Sequence, residues 1–165
     1  LKMDIPALKN ECKRQKINSQ KLKSARFWGE LLALLFEEKV ESTLIQPTCV
    51  YNFPTEITPL AKKCPDDPRF TESFEQYING WELGNNYTEI NDPLDLKKRF
   101  IEEKDRAKAG FSEAHQNDED YLEAIMHGMP PTVGIATSID RLLMLCTGSH
   151  NIREVILFPT LRTEK

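Results

Sequence analysis

Apolar residues return at near-helical spacing through Phe27, Leu31, Leu34 and Leu35, which predicts a helix over residues 24–41 with Ser24 as its cap. Such a helix should cover a sheet. Residues 44–53 are rich in β-formers around Pro47, and residues 55–58 follow Pro54, so the pair reads as short extended segments. Residues 62–69 hold two prolines and two aspartates and read as a loop. Residues 74–90 divide into two extended segments about Asn79-Gly80, a hairpin dipeptide. Asp92-Pro93 then opens a helix to about Lys108, with Asp92 as cap and Pro93 in first position. A further helix fits Asp118 to His127, closed by Gly128, and Pro130-Pro131 blocks its continuation. Small apolar residues from Thr132 to Ile139 predict a strand passing into a helix at Asp140, and Val155 to Phe158 reads as a last short strand. No internal repeat interrupts this order.

A chain of 165 residues is enough for one good core, so residues 1–165 are expected to form a single unit. The longest apolar run, Leu31 to Phe36, is far short of the roughly 20 residues that cross a bilayer. A cytoplasmic protein with no membrane partner is the expectation. Cys12, Cys49, Cys64 and Cys146 form no C-x-x-C pair and read as reduced thiols; His115, His127 and His150 show no ligand spacing and read as surface or helix-end residues. Charge is uneven. Of 22 basic and 26 acidic residues, residues 1–28 hold eight and two (+6), leaving fourteen and twenty-four (−10) for the rest. The basic stretch of Lys13, Arg14, Lys16, Lys21, Lys23 and Arg26 suits either nucleic-acid phosphates or a solvated helical face. Because the chain begins with Leu1, a portion of a longer protein is expected.

Two stretches carry candidate chemistry. In "GWELGNNYTEIND" (Gly80 to Asp92), aromatic and β-branched residues alternate with carboxylates and amides, more polar side chains than a sheet needs. In "GIATSIDR" (Gly134 to Arg141), small residues would let a flat ligand approach the backbone, with Arg141 able to stack on a base or pair with phosphate. Asp140-Arg141 would equally serve as a helix-start ion pair.

Taken together, "PTEITPLAK" (Pro54 to Lys62), "GWELGNNYTEINDP", "PPTVGIATSIDRLLML" (Pro130 to Leu145) and "IREVILFPTLR" (Ile152 to Arg162) resemble, in order and spacing, the C-terminal half of a class II lysyl-tRNA synthetase catalytic domain over about residues 40–163. The resemblance implies an α+β fold, an antiparallel sheet flanked by helices, that makes lysyl-adenylate from ATP and lysine and then charges tRNA(Lys), with a homodimeric parent. It implies that Arg141 is catalytic and, with Gly134, belongs to the ATP site; that Glu75 and Glu82 bind Mg²⁺ and ATP; and that Asn85, Tyr87 and Glu89 line the lysine pocket. Aspartyl-type relatives resemble this strand but carry arginine where Glu89 stands, so the sign of charge would choose the substrate. Strand parity puts Asn85, Tyr87 and Glu89 on one face and Glu82 on the other, whereas the resemblance gathers all four, so a β-bulge is expected near Gly84.

The sequence departs from the family where Ala136 and Ser138 replace commoner glycines, which would narrow an adenine site. Residues 1–30 match neither the dimer-forming motif, the motif with the transition-state arginine, nor the anticodon-binding barrel. The expectation is therefore half an active site, inactive alone. A truncated paralogue and a non-catalytic ATP- or lysine-binding module are the alternatives.

Overall fold

The computed structural model describes residues 3–17, 19–108 and 118–160. His115 and residues 161–163 of the matched region lie outside them. Helices α1 (Ile5–Arg14), α2 (Ser19–Ser24) and α3 (Trp28–Lys39) lead into strands β1 (Thr48–Tyr51), β2 (Ser73–Ile78) and β3 (Trp81–Thr88). Helices α4 (Pro93–Lys108) and α5 (Glu119–Met126), strand β4 (Val133–Gly134) and helix α6 (Ile139–Thr147) follow. The strands pair antiparallel in the order β1-β2-β3-β4, giving the expected α+β arrangement of a sheet with helices around it.

Local chemistry explains most boundaries. Asn79 (φ 56°) and Gly80 (φ 71°) both take the left-handed conformation that a two-residue hairpin turn requires, and their N–H groups bond the carbonyls of Ile45 and Leu44. Asp92 accepts hydrogen bonds from the N–H groups of Leu94 and Asp95, and Asp118 accepts one from Tyr121, so both acids cap their helices. Gly128, at φ 108°, ends the turn after α5.

Four expectations need correction. Helix α3 starts at Trp28, and Ser24 is the last residue of α2 instead of its cap. The capping group is Glu30, which reaches back to accept from the N–H groups of Arg26 and Phe27, half of a capping box. Residues 55–57 form a turn closed by Ile57 N–H on the Pro54 carbonyl, where a second extended segment was expected. The strand after Pro131 is only Val133–Gly134, because the Ala136 N–H leaves the ladder for the Asn86 side chain. Residues 155–158 are irregular, with Leu157 and Phe158 88% and 92% exposed. Apolar β-formers become a strand only beside a hydrogen-bonding partner, and no described strand lies next to them.

Two apolar clusters hold these parts. Cys12, Ile17, Ala25, Leu31 and Leu34 join α1, α2 and α3, while Ile90, Leu96, Phe100, Leu122 and Ile125 join the end of β3 to α4 and α5. Helix α3 does lie on the sheet, since Phe36 packs edge-on against Tyr77 (5.5 Å between centroids) and Phe53 (6.2 Å).

The tie between α4 and the N-terminal helices is polar and buried. Arg106 stacks 4.5 Å over the Phe27 ring, donates to Glu103 at 2.7 Å and to the Glu56 carbonyl, and Glu56 in turn accepts from the Gly29 N–H. Replacing Arg106 by alanine should destabilise the fold by about 3 kcal/mol, because Glu103 loses a buried counter-charge. Urea unfolding of the two proteins measures this, and a change under about 0.5 kcal/mol, the size typical of a surface substitution, would contradict it.

Candidate functional site

The hairpin of β2 and β3 is the base of the site. Its register runs Ser73↔Tyr87, Phe74↔Asn86, Glu75↔Asn85 and Gln76↔Gly84, then jumps to Tyr77↔Glu82. Leu83 is the extra residue, one position before Gly84, so the expected bulge is present. Because paired residues share a face, the slip brings Glu82 round to join Glu75, Tyr77, Asn85 and Tyr87. Without it Glu82 would point away.

The opposite face meets the chain leaving β4. The N–H of Ala136 bonds the Asn86 Oδ1 at 2.7 Å, the Thr137 hydroxyl bonds Gln76 at 3.2 Å, and the N–H of Ser138 bonds the Leu83 carbonyl at 2.6 Å. A side chain at Gly84 would collide with the Ala136 carbonyl, so this position is glycine for lack of space. Asn86, fully buried, was not singled out in the sequence. Ser138 caps α6 by accepting from the Arg141 N–H, a structural use of one of the two departures from glycine.

That cap sets Arg141 in the first turn of α6, from where its guanidinium donates to the Glu82 carbonyl and lies 3.8 Å from the Glu82 carboxylate. Both side chains stay about two-fifths exposed, 42% for Arg141 and 38% for Glu82, so each remains open to a ligand. They line a cleft of about 450 Å³ with Glu41, Trp81, Met144, His150, Asn151 and Ile152. Glu41 and His150 were missed as site residues. Neither stands at a motif spacing, and only the fold brings the turn after α3 and the turn after α6 to one cleft.

Acid groups crowd this end of the sheet. Burial, with Glu82, Glu41 and Glu37 nearby, pushes the Glu75 carboxyl up to about 7 although the Tyr77 hydroxyl bonds it. Burial likewise raises Glu41, helped by Glu37 and Glu82 and opposed by Arg141. No group of three or more His, Cys, Asp or Glu side chains suited to a metal occurs among the described residues.

Glu89 lies at the other end, just past β3. Its N–H bonds the Thr132 carbonyl at 2.9 Å, it bridges to Ala61, and its carboxylate lies over Gly134, where a side chain would clash with it. Gly134 is thus placed beside Glu89, apart from the cleft-lining Arg141. Burial raises the Glu89 carboxyl, and burial together with the Glu89 charge raises the phenols of Tyr87 and Tyr121. Tyr121, from α5, is a further wall that the sequence did not single out. Among the described residues no cation pairs with Glu89.

The profile of the family described as tRNA synthetases class II (D, K and N) matches residues 2–162. The chain is similar to the protein named lysine–tRNA ligase of Staphylococcus aureus, at 54% identity over 141 residues, covering 86% of this chain and 28% of that protein. The proteins of the same name from strains MRSA252 and Mu3 match with the same identity and coverage. The chain therefore spans about 28% of the length of these relatives.

The raised Glu75 carboxyl sets a pH dependence. Its folded pKa lies above the ordinary 4.5, so the stability it contributes is full below that value and is lost as pH rises through about 7. The chain should therefore unfold more easily at pH 8 than at pH 5.5 through this group, and Glu75→Gln should flatten the difference. Denaturant midpoints at the two pH values check it; an unchanged pH slope in Glu75→Gln would assign the dependence elsewhere.

Proposed function

The chain belongs to the class II tRNA synthetases of the D, K and N group, and on that premise we propose that it forms part of the catalytic domain of a lysine–tRNA ligase. The observation that carries the reading is the slip at Leu83, which gathers Glu75, Glu82, Asn85 and Tyr87 on one face with the carboxylate of Glu89 at its end. Activation joins the lysine carboxylate to the α-phosphate of ATP and releases pyrophosphate; the lysyl group then passes to tRNA(Lys).

Arg141, in the first turn of α6 and exposed in the cleft, is the residue to meet ATP, whereas Gly134 lies beneath the Glu89 carboxylate and not in that cleft. Mg²⁺ fits the chemistry of the acids opposite it. Magnesium is commonly held by one or two carboxylates plus substrate phosphates, and Glu75 is raised by burial and further by the neighbouring acids, a cost that a divalent cation relieves. Glu75 and Glu82 would hold the ion, which when bound neutralises triphosphate charge. The chain's own residues then orient the nucleotide against lysine.

At the far end, Glu89 receives the lysine ammonium. A half-buried carboxylate without a cation carries a cost that a substrate ammonium lowers, whereas an aspartate side chain there would face like charge. Tyr87 and Tyr121 supply apolar surface for the lysine methylenes, and Asn85 offers an amide. In the whole protein, the reading makes tRNA(Lys) the acceptor, the assembly a homodimer and the location cytoplasmic.

In the complete enzyme, Glu89→Gln should cost about 2 to 4 kcal/mol in kcat/KM for lysine, because the ammonium loses its counter-charge, while use of ATP hardly changes. Steady-state pyrophosphate exchange at varied lysine and ATP separates the two. Comparable rises in both KM values would make Glu89 structural.

The 165-residue chain on its own should not support lysine-dependent pyrophosphate exchange. The resemblance assigns no residue of this chain to the family's transition-state arginine, and losing such a clamp commonly costs roughly a thousandfold or more in rate. Purified chain is assayed with and without the remaining portion of the protein added. Robust exchange by the chain alone would require another residue here to hold the α-phosphate.

A further inference from the structure

Arg99, in the second turn of α4, has a side chain only 4% exposed and is far from the Glu82–Arg141 cleft. Its two terminal nitrogens are divided between backbone carbonyls and one acid. One terminal nitrogen, Nη1, donates to the carbonyls of Pro59 (3.1 Å) and Ala61 and lies 3.4 Å from that of Thr58, and the other, Nη2, holds Asp95 at 2.8 Å. Asp95 also accepts from the ammonium of Lys63 at 2.7 Å, so a single ion network grips the 58–63 segment at both ends.

That segment is the outer neighbour of Glu89. The N–H of Lys62 bonds the Thr88 carbonyl at 2.8 Å, the N–H of Ile90 bonds the Leu60 carbonyl at 3.0 Å, and Ala61 bridges Glu89 antiparallel. On its other side Glu89 is held by the Thr132 carbonyl. Ala61, with no exposed surface, is therefore both bonded to Arg99 and paired with Glu89. An ordinary surface loop would carry none of this.

We propose that Arg99 is a positioning residue for substrate selection: by fixing the carbonyls of the 58–61 turn it fixes the strand that carries Glu89, and with it the place where the lysine ammonium is received. The inference rests on the reading of Glu89 as the ammonium partner. A planar fork donating to several carbonyls at once sets the turn in one geometry, which the single ammonium of lysine does not reproduce, so Arg99→Lys keeps the charge and loses the template. Charge-assisted contacts lose strength steeply with displacement, and displacement by about 1 Å commonly costs up to a hundredfold in rate.

The test is kinetic, in the complete enzyme, with melting temperatures recorded to confirm folding at the assay temperature. Arg99→Lys should raise KM for lysine roughly tenfold while KM for ATP stays within about twofold. In a Glu89→Gln background the same substitution should add less than about twofold, because the contact it misplaces is already gone. Equal rises in both KM values, or a full multiplicative effect in the Glu89→Gln background, would reduce Arg99 to a stability residue and overturn the proposal. If Glu89→Gln alone leaves lysine use unchanged, the pocket assignment itself fails, a distinct result. Should Arg99→Lys not fold, Asp95→Asn loosens the same guanidinium from its ion pair and should give a smaller shift, about threefold, again confined to lysine; no lysine-selective shift in that variant counts against the proposal.

Discussion

One surplus residue in a strand decides which side chains share a face of this sheet. A regular β-hairpin sends alternate side chains to opposite faces, so Glu82 and Asn85, three apart, would be separated by the thickness of the sheet. The pairing slip at Leu83 converts that odd interval into an even one. Everything polar on the face depends on it, because Glu75 and Tyr77 on β2 are fixed by parity and the β3 residues must come to them. The slip is held from outside the hairpin: the Leu83 carbonyl accepts from Ser138, the Glu82 carbonyl from Arg141, and Gly84 leaves room for the Ala136 carbonyl. The segment bearing Arg141 is thus the same one that braces the acid-bearing face. The two halves of the cleft are mechanically one object.

The parts of this arrangement legible in the sequence are those decided within a few residues. Asn79-Gly80 specifies its turn through backbone sterics, and Asp92 and Asp118 specify helix starts through their own side-chain bonds, so all three stand where they were expected. The position of α3 was not legible to the residue, since Ser24 and Glu30 are both credible start signals and only packing decides between them. Residues 155–158 show the limit most clearly. Their composition says strand, but a strand is a relation between two segments, and composition is silent about the second.

The site divides along the same line. Parity combined with the likeness of residues 80–93 to a known motif was enough to require a bulge near Gly84. Glu41, His150 and Tyr121 carry no local mark and enter the site only through tertiary structure. Arg99 and Arg106 were illegible for a different reason. In the sequence they belong to a highly charged helix whose plain reading is a solvated face, yet both are among the most buried residues of α4, neutralised by acids one turn away. Charge spaced at i, i+3 and i, i+4 looks the same whether water or another segment lies outside it.

The distribution of unpaired charge then argues for what the face receives. Most buried ionisable groups here are compensated: Arg99 by Asp95, Arg106 by Glu103, Asp95 again by Lys63. Glu75 and Glu89 are the exceptions among carboxyls on the site face, both raised by burial, and neither with a cation at salt-bridge distance among the described residues. A fold under selection for stability alone would fill such positions with amides or apolar groups. Keeping them as acids is a cost that a proton or a cationic occupant relieves, and the two sit apart on one face: Glu75 crowded by Glu82 and Glu41, and Glu89 by itself beyond the end of β3. On the proposed reading, an anionic side chain beside Glu89 would raise the cost that a lysine ammonium lowers, so one carboxylate would both attract the one and repel the other.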